Sequence, residues 1–149
     1  GFACTQAIGE SLPLADGSFD CVLLSEVIEH LDAPQISIRE AARVLKPNGR
    51  LLVTTPNYRS FWPLMEWAVD RLNLAPKMAG EQHVSHFHPS SLKRMLVEAG
   101  LEMEYSGSIY NLSPFLSLVS LEQAKRQLQH ELSRRSALGM ILVAVAIKP

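Results

Sequence analysis

Two short pairs, Glu10-Ser11 and Ser25-Glu26, set a hydroxyl beside a carboxylate where the flanking residues read as strand ends. Carboxylates accept hydrogen bonds from amino and hydroxyl groups, which are the groups a nucleoside presents. In open parallel sheets, ligands sit beyond the carboxyl ends of strands. The plainer roles are a polar loop for the first pair and a helix cap for the second. His30 stands four residues past Glu26, on a helix that would begin at the same strand end. It is the best-placed candidate for accepting a proton, with packing or capping as the competing role. The run His83-x-x-His86-x-His88 offers three imidazoles. Spacing alone does not define a tetrahedron, and no cysteine or carboxylate ligand stands close by, so no metal site is expected.

The elements that must position these groups follow from pattern and punctuation. Cys4 to Ile8 is a short strand candidate ended by Gly9. Asp16-Gly17 is a turn, and Phe19 to Ser25 is a mostly apolar strand of the type buried on both faces. Asp32-Ala33-Pro34 predicts a helix start, with a capping side chain followed by proline in the first turn. Ile36, Ile38, Ala42, Val44 and Leu45 supply its apolar face, and Lys46-Pro47-Asn48-Gly49 stops it before a strand from Arg50 to Thr55. This is a β-α-β unit with parallel pairing.

Both tryptophans fall in the next segment, with Tyr58, Phe61, Trp62, Leu64, Met65, Trp67 and Leu72, which predicts a helical insertion over about 58–80. Such an insertion closes over a ligand or packs on the sheet. Pro89-Ser90-Ser91 caps a further helix with Leu92, Met95, Leu96 and Ala99 on one face and Gly100 at its end. A strand is expected over Leu101 to Ile109, and a helix from about Leu116 to Arg135. That helix sets Lys125, Arg126, Arg134 and Arg135 beside an apolar stripe of Leu121, Ala124, Leu128 and Leu132. A membrane surface or lipid-like acceptor would suit it. Glu122, Gln123, Gln127, Gln129 and Glu131 dilute the charge, which favours a solvated face. Gly139 to Lys148 reads as a closing apolar strand.

The 149 residues amount to one domain with a real core, and an apolar content of 47% excludes a disordered chain. A net charge of -1 gives no field for nucleic acid. Cys4 and Cys21 form no recognisable motif, so a reducing cytoplasm is expected. Met140 to Ile147 is too short to span a bilayer as a helix, so no transmembrane segment is expected, and no export signal is evident.

Several ordered segments together resemble the Rossmann-like, class I S-adenosylmethionine-dependent methyltransferases of the type 11 branch. Glu10-Ser11-Leu12-Pro13-Leu14 resembles the family's acidic loop after strand three, and Asp16-Gly17-Ser18-Phe19-Asp20 its entry to strand four. Ser25 to Leu31 resembles the strand-four exit, and Arg43 to Leu51 the turn into strand five. His83-Val84-Ser85-His86-Phe87, followed by Leu92 to Leu101, resembles the late helix before strand six. The resemblance implies an α/β fold with a mostly parallel open sheet flanked by helices. It implies S-adenosylmethionine as cofactor, with Glu10, Ser11 and Leu12 on the adenine side and Ser25 and Glu26 near the methionine end. A small-molecule or lipid-like acceptor follows, with His30 as the candidate base.

The family orders its seven strands three, two, one, four, five, seven, six. It rests the methionine part on a glycine-rich turn after strand one and holds the ribose with an acid after strand two. By this comparison residues 1–149 form a single truncated domain, strands three to seven, and cofactor binding requires the missing half or a partner. Strand three would then stand roughly 14 Å from strand four, three steps of about 4.8 Å each, with nothing between them. Strand four would expose an apolar edge, and a homodimer through that edge is one expected outcome. The alternative function is a non-catalytic remnant acting through self-association or protein binding. A nicotinamide-dependent dehydrogenase lacks support, since neither G-x-G-x-x-G nor Tyr-x-x-x-Lys occurs.

Overall fold

The structure, a computed structural model, describes residues 4–72, 83–117, 119–133 and 136–149. Four strands form one sheet: β1 (Phe19–Ser25), β2 (Leu45–Pro56), β3 (Glu102–Ile109) and β4 (Ile141–Ile147), in spatial order β1-β2-β4-β3. β1 and β2 pair in parallel through α1 (Pro34–Val44), as the β-α-β pattern requires. β4 runs antiparallel to both β2 and β3, so three strands share a direction and β4 alone is reversed. This order reproduces the family's four, five, seven, six.

One face of the sheet carries the core. Leu51 and Val53 of β2, with Leu142, Ala144 and Ala146 of β4, pack beneath Ile38, Ala41 and Ala42 of α1 and Leu92 and Leu96 of α3 (Pro89–Glu98). Along β4 the residues alternate between buried and half-buried, so the second face has far less cover among the described residues. Gly100, at φ +81°, turns the chain out of α3 toward β3.

Several local expectations change. Cys4–Ile8 forms no strand and is exposed; its only pairing among the described residues is an isolated bridge between Ile8 and Ser11. β1 is not buried on both faces: Leu23 is 61% exposed, because the strand lies at the sheet edge with one face uncovered. Asp32 does not cap α1. Pro34 occupies the first turn and pushes Ala33 out of the helical region, which makes Ala33 the N-cap without a side-chain bond. Ile36 is exposed, and Ser37 takes a buried place instead.

Lys46 to Gly49 is not a loop. β2 begins at Leu45, and the four residues bulge between the pairings Phe19–Leu45 and Cys21–Arg50. At α3 the cap is the His88 side chain, which accepts from the backbone N of Ser91 while the Ser91 hydroxyl bonds the His88 backbone N. The expected helix over 116–135 divides into α4 (Ser113–Leu116) and α5 (Leu121–Leu132), because Ser120 is extended and its hydroxyl starts a new helix. Arg134 and Arg135 lie outside the described residues, as does most of 58–80 beyond α2 (Trp62–Arg71).

Candidate functional site

β1 ends in Ser25 and Glu26, where the chain turns sharply. Glu26 takes φ +52°, a left-handed conformation that a non-glycine residue adopts at a cost. Its backbone N donates to Thr54 O (3.1 Å), and the Ser25 and Thr54 hydroxyls share a 3.1 Å bond. Thr54 thus locks the strand exit to β2. The Glu26 residue keeps an exposed surface, yet its carboxyl is pushed above its ordinary value. Burial is the main cause, opposed by a Thr54 bond and reinforced by the like charge of Glu29.

A 3₁₀ turn, Ile28–His30, follows and delivers Glu29 into the interior at 1% exposure. Glu29 Oε2 accepts from Thr55 Oγ1 (3.1 Å), and Oε1 lies 3.9 Å from His30 Nε2. The backbone O of Glu29 accepts from Val84 N (2.8 Å) and Ser85 N (2.9 Å), which docks the 83–85 segment on this turn. His83 therefore lies beside His30, with ring centres 5.1 Å apart. Tyr58, just past β2, bonds His83 Nδ1 through its hydroxyl (2.9 Å) and stacks on His86 at 4.0 Å.

The predicted residues fall into two groups. Ser25, Glu26 and His30 come together beyond the ends of β1 and β2. Glu10, Ser11 and Leu12 lie on a turn docked along α1: Gly9 rests against Ser37 and Leu31, Leu12 N donates to Glu40 (3.0 Å), and Arg43 donates to Leu12 O (3.0 Å) and Leu14 O (2.8 Å). The contact with Leu31 sets this turn on the side of the 3₁₀ turn. His83, His86 and His88 do not converge, since His86 stacks and His88 caps.

Sequence reasoning missed Glu29, Asn57 and Glu131. Asn57 is fully buried; its side chain donates to Gly139 O (2.8 Å) and Ala137 O (3.0 Å), fixing the approach to β4. The one signal for it was an amide placed directly after an apolar strand. Beside it, Trp62, Met65, Tyr110, Leu128, Met140 and Ile141 line an apolar cavity of about 460 Å³. Ile141 pairs with Pro56 and Thr54 with Ser25, so cavity and strand exit share one edge of the sheet. The indole N–H of Trp62 is buried without a hydrogen-bond partner among the described residues.

In an open α/β sheet, ligands bind in the crevice beyond the carboxyl ends of the strands, where Ser25 and Glu26 stand. The profile of a family described as a methyltransferase domain matches residues 5–106, and the chain belongs to that family, the class I methyltransferases whose cofactor is S-adenosylmethionine. Ubiquinone/menaquinone biosynthesis C-methyltransferase UbiE of Haemophilus ducreyi is 34% identical across 72% of this chain and 46% of the relative. UbiE of Pasteurella multocida is likewise 34% identical, across 72% of this chain and 44% of its own length. The chain thus spans about half the length of the curated relatives it matches. An S-adenosylmethionine-dependent methyltransferase from Thermotoga maritima shares the fold at a TM-score of 0.65 and 21% identity, covering 96% of this chain and 62% of that one.

The residues present fit part of the cofactor. Carboxylates at Glu10 and Glu26 suit amino, hydroxyl and sulfonium groups. Among the described residues no glycine-rich turn precedes β1, and the free edge of β1 carries no strand partner.

Proposed function

We propose that this chain is the carboxyl-terminal portion of an S-adenosylmethionine-dependent methyltransferase that acts on a small apolar acceptor. The cavity beside the strand exit carries this reading. Its size is that of a small-ligand site and its wall is almost wholly apolar. Two of the relatives are named for C-methylation in ubiquinone and menaquinone biosynthesis, so a quinone-type acceptor is the one to test first.

S-adenosylmethionine, when bound, supplies an electrophilic methyl group on a sulfonium. The chain's task is then largely positioning, since an acceptor atom held in line at close range loses much of the barrier. Glu10, Ser11 and Leu12 are assigned to the adenine side, and Ser25 and Glu26 to the methionine end. His30 is assigned to remove a proton where the acceptor must lose one. A cytoplasmic setting accords with two free, exposed cysteines. Among the described residues no helix is long and apolar enough to cross a membrane.

The test is a titration with a short-chain naphthoquinone followed by the indole N–H resonance of Trp62. Saturable movement of that resonance, lost in Met140→Lys, supports the reading. A resonance unmoved at saturating ligand overturns the acceptor assignment. A second reading, self-association, rests on the open β1 edge with Leu23 exposed. A strictly monomeric sedimentation profile at high concentration would end it.

A further inference from the structure

The cluster of Glu29, His30 and His83 has a composition that neither chain pairing nor nucleoside binding requires. One ligand-capable atom from each residue lies within 4.8 Å of the others. Such a set, one carboxylate and two imidazoles, is the donor chemistry that divalent transition-metal ions select over magnesium or calcium, which prefer all-oxygen shells. We propose that Glu29, His30 and His83 form a binding site for a divalent first-row transition-metal ion.

Three features favour a built site over a chance meeting of side chains. Glu29 is removed from solvent, and a buried carboxylate demands a positive partner or several donors, of which Thr55 supplies one. A metal dication meets that demand without an ordered imidazolium. Two of the three donors are also held from behind. Thr55 Oγ1 takes one oxygen of Glu29 at 3.1 Å and leaves Oε1 on the His30 side, while Tyr58 Oη holds the His83 ring by its Nδ1 at 2.9 Å. Outer partners of this kind fix ring orientation and are a regular part of metal sites. Finally, the main chain brings the two segments into register. Val84 N and Ser85 N both donate to the Glu29 carbonyl, so His83 arrives beside His30 although the sequence separates them widely.

Three protein ligands leave coordination positions for water or for an oxygen of a bound molecule. The site differs from the spacing motif His83-x-x-His86-x-His88, whose other two members stack on Tyr58 and cap α3. It shares His30 with the methyltransferase reading, but its test stands apart, because metal binding is read without cofactor or acceptor.

Cobalt(II) is the probe. The untagged chain, stripped with a chelator, is titrated with Co²⁺ while visible absorption and tryptophan emission are followed, since the Trp62 ring lies 6.1 Å from that of His83. One saturating equivalent is expected, displaced by Zn²⁺ and not by an equal concentration of Mg²⁺. His83→Ala and His30→Ala should each weaken it at least tenfold, and Glu29→Gln likewise. His88→Ala and His130→Ala should leave it unchanged. Far-UV circular dichroism checks each variant; if Glu29→Gln unfolds, the two histidine variants decide. Absence of saturable binding overturns the proposal. So does binding that His88→Ala or His130→Ala removes while His30→Ala and His83→Ala retain it, which marks an adventitious surface ion.

Discussion

Glu131 and Glu29 are both almost wholly buried carboxylates, at 4% and 1% exposure, yet the fold satisfies them in opposite ways. Glu131, on α5, accepts from the backbone N of Asn111 (3.0 Å), Leu112 (2.9 Å) and Ser113 (3.1 Å) and from the Ser113 hydroxyl (3.0 Å). Burial alone would raise its pKa, but these donors outweigh it and hold the carboxyl below its ordinary range. The turn between β3 and α4 thereby becomes rigid. Glu29 has one hydroxyl donor and two imidazoles for company. A carboxylate ringed by backbone donors is spent on structure. One faced by a single hydroxyl and two imidazoles has an acceptor left to offer, the feature on which the metal-site proposal rests.

The largest effect should come from Glu131→Ala. Three backbone N–H groups and a hydroxyl lose their acceptor in the interior, which should cost on the order of 3 kcal/mol. Urea denaturation measures it, and a loss below about 1 kcal/mol would place Glu131 among ordinary surface acids. Glu29→Gln should be milder, about 1 kcal/mol, because the amide oxygen can still accept from Thr55. If the two losses proved equal, the contrast between structural and reactive carboxylates would collapse.

Trp62→Phe is smaller again. It removes the unpartnered indole N–H while keeping an aromatic ring, so stability should stay within about 0.5 kcal/mol. Affinity for an apolar ligand should fall about twofold to threefold by calorimetric titration, because the smaller ring covers less of the cavity wall. Equal affinity would remove the Trp62 ring from recognition.

The smallest effect concerns pH. Arg43 holds Glu40 from its ordinary 4.5 down to about 2, with a Leu12 backbone bond assisting. The folded pKa is depressed, so this contribution is present above the unfolded value and lost as pH falls from 4.5 through about 2. The protection of Leu12 N against hydrogen exchange, relative to its intrinsic rate at each pH, should fall over that window, and Glu40→Gln should flatten the change.

Most of the fold was legible because apolar runs and breakers mark elements locally. Phe19–Ser25, the first helix, Pro89–Glu98 and the last strand all fall close to their expected places. Errors arose where partners distant in sequence decide. Lys46-Pro47-Asn48-Gly49 reads as a breaker, yet pairing with β1 draws Leu45 onward into β2 as a bulged strand. Cys4–Ile8 has strand-like residues but no neighbouring strand among the described residues.

The site divides the same way. Ser25, Glu26 and His30 were visible because strand-end logic is local. Glu29 beside them read as one more acid, since its burial depends on a 3₁₀ turn folding under the 83–85 segment. His83 was read with its sequence neighbours and belongs with His30.

The proposed methyltransferase activity rests on nucleoside recognition at the carboxyl edge of β1. Amide resonances of the chain titrated with S-adenosylhomocysteine test it most directly, because millimolar binding to part of a cleft still moves them. Residues 9–12 and 25–30 should shift together and saturate, with Glu10→Ala weakening the response. No shift at millimolar ligand, or shifts confined to β3 and α5, would contradict it.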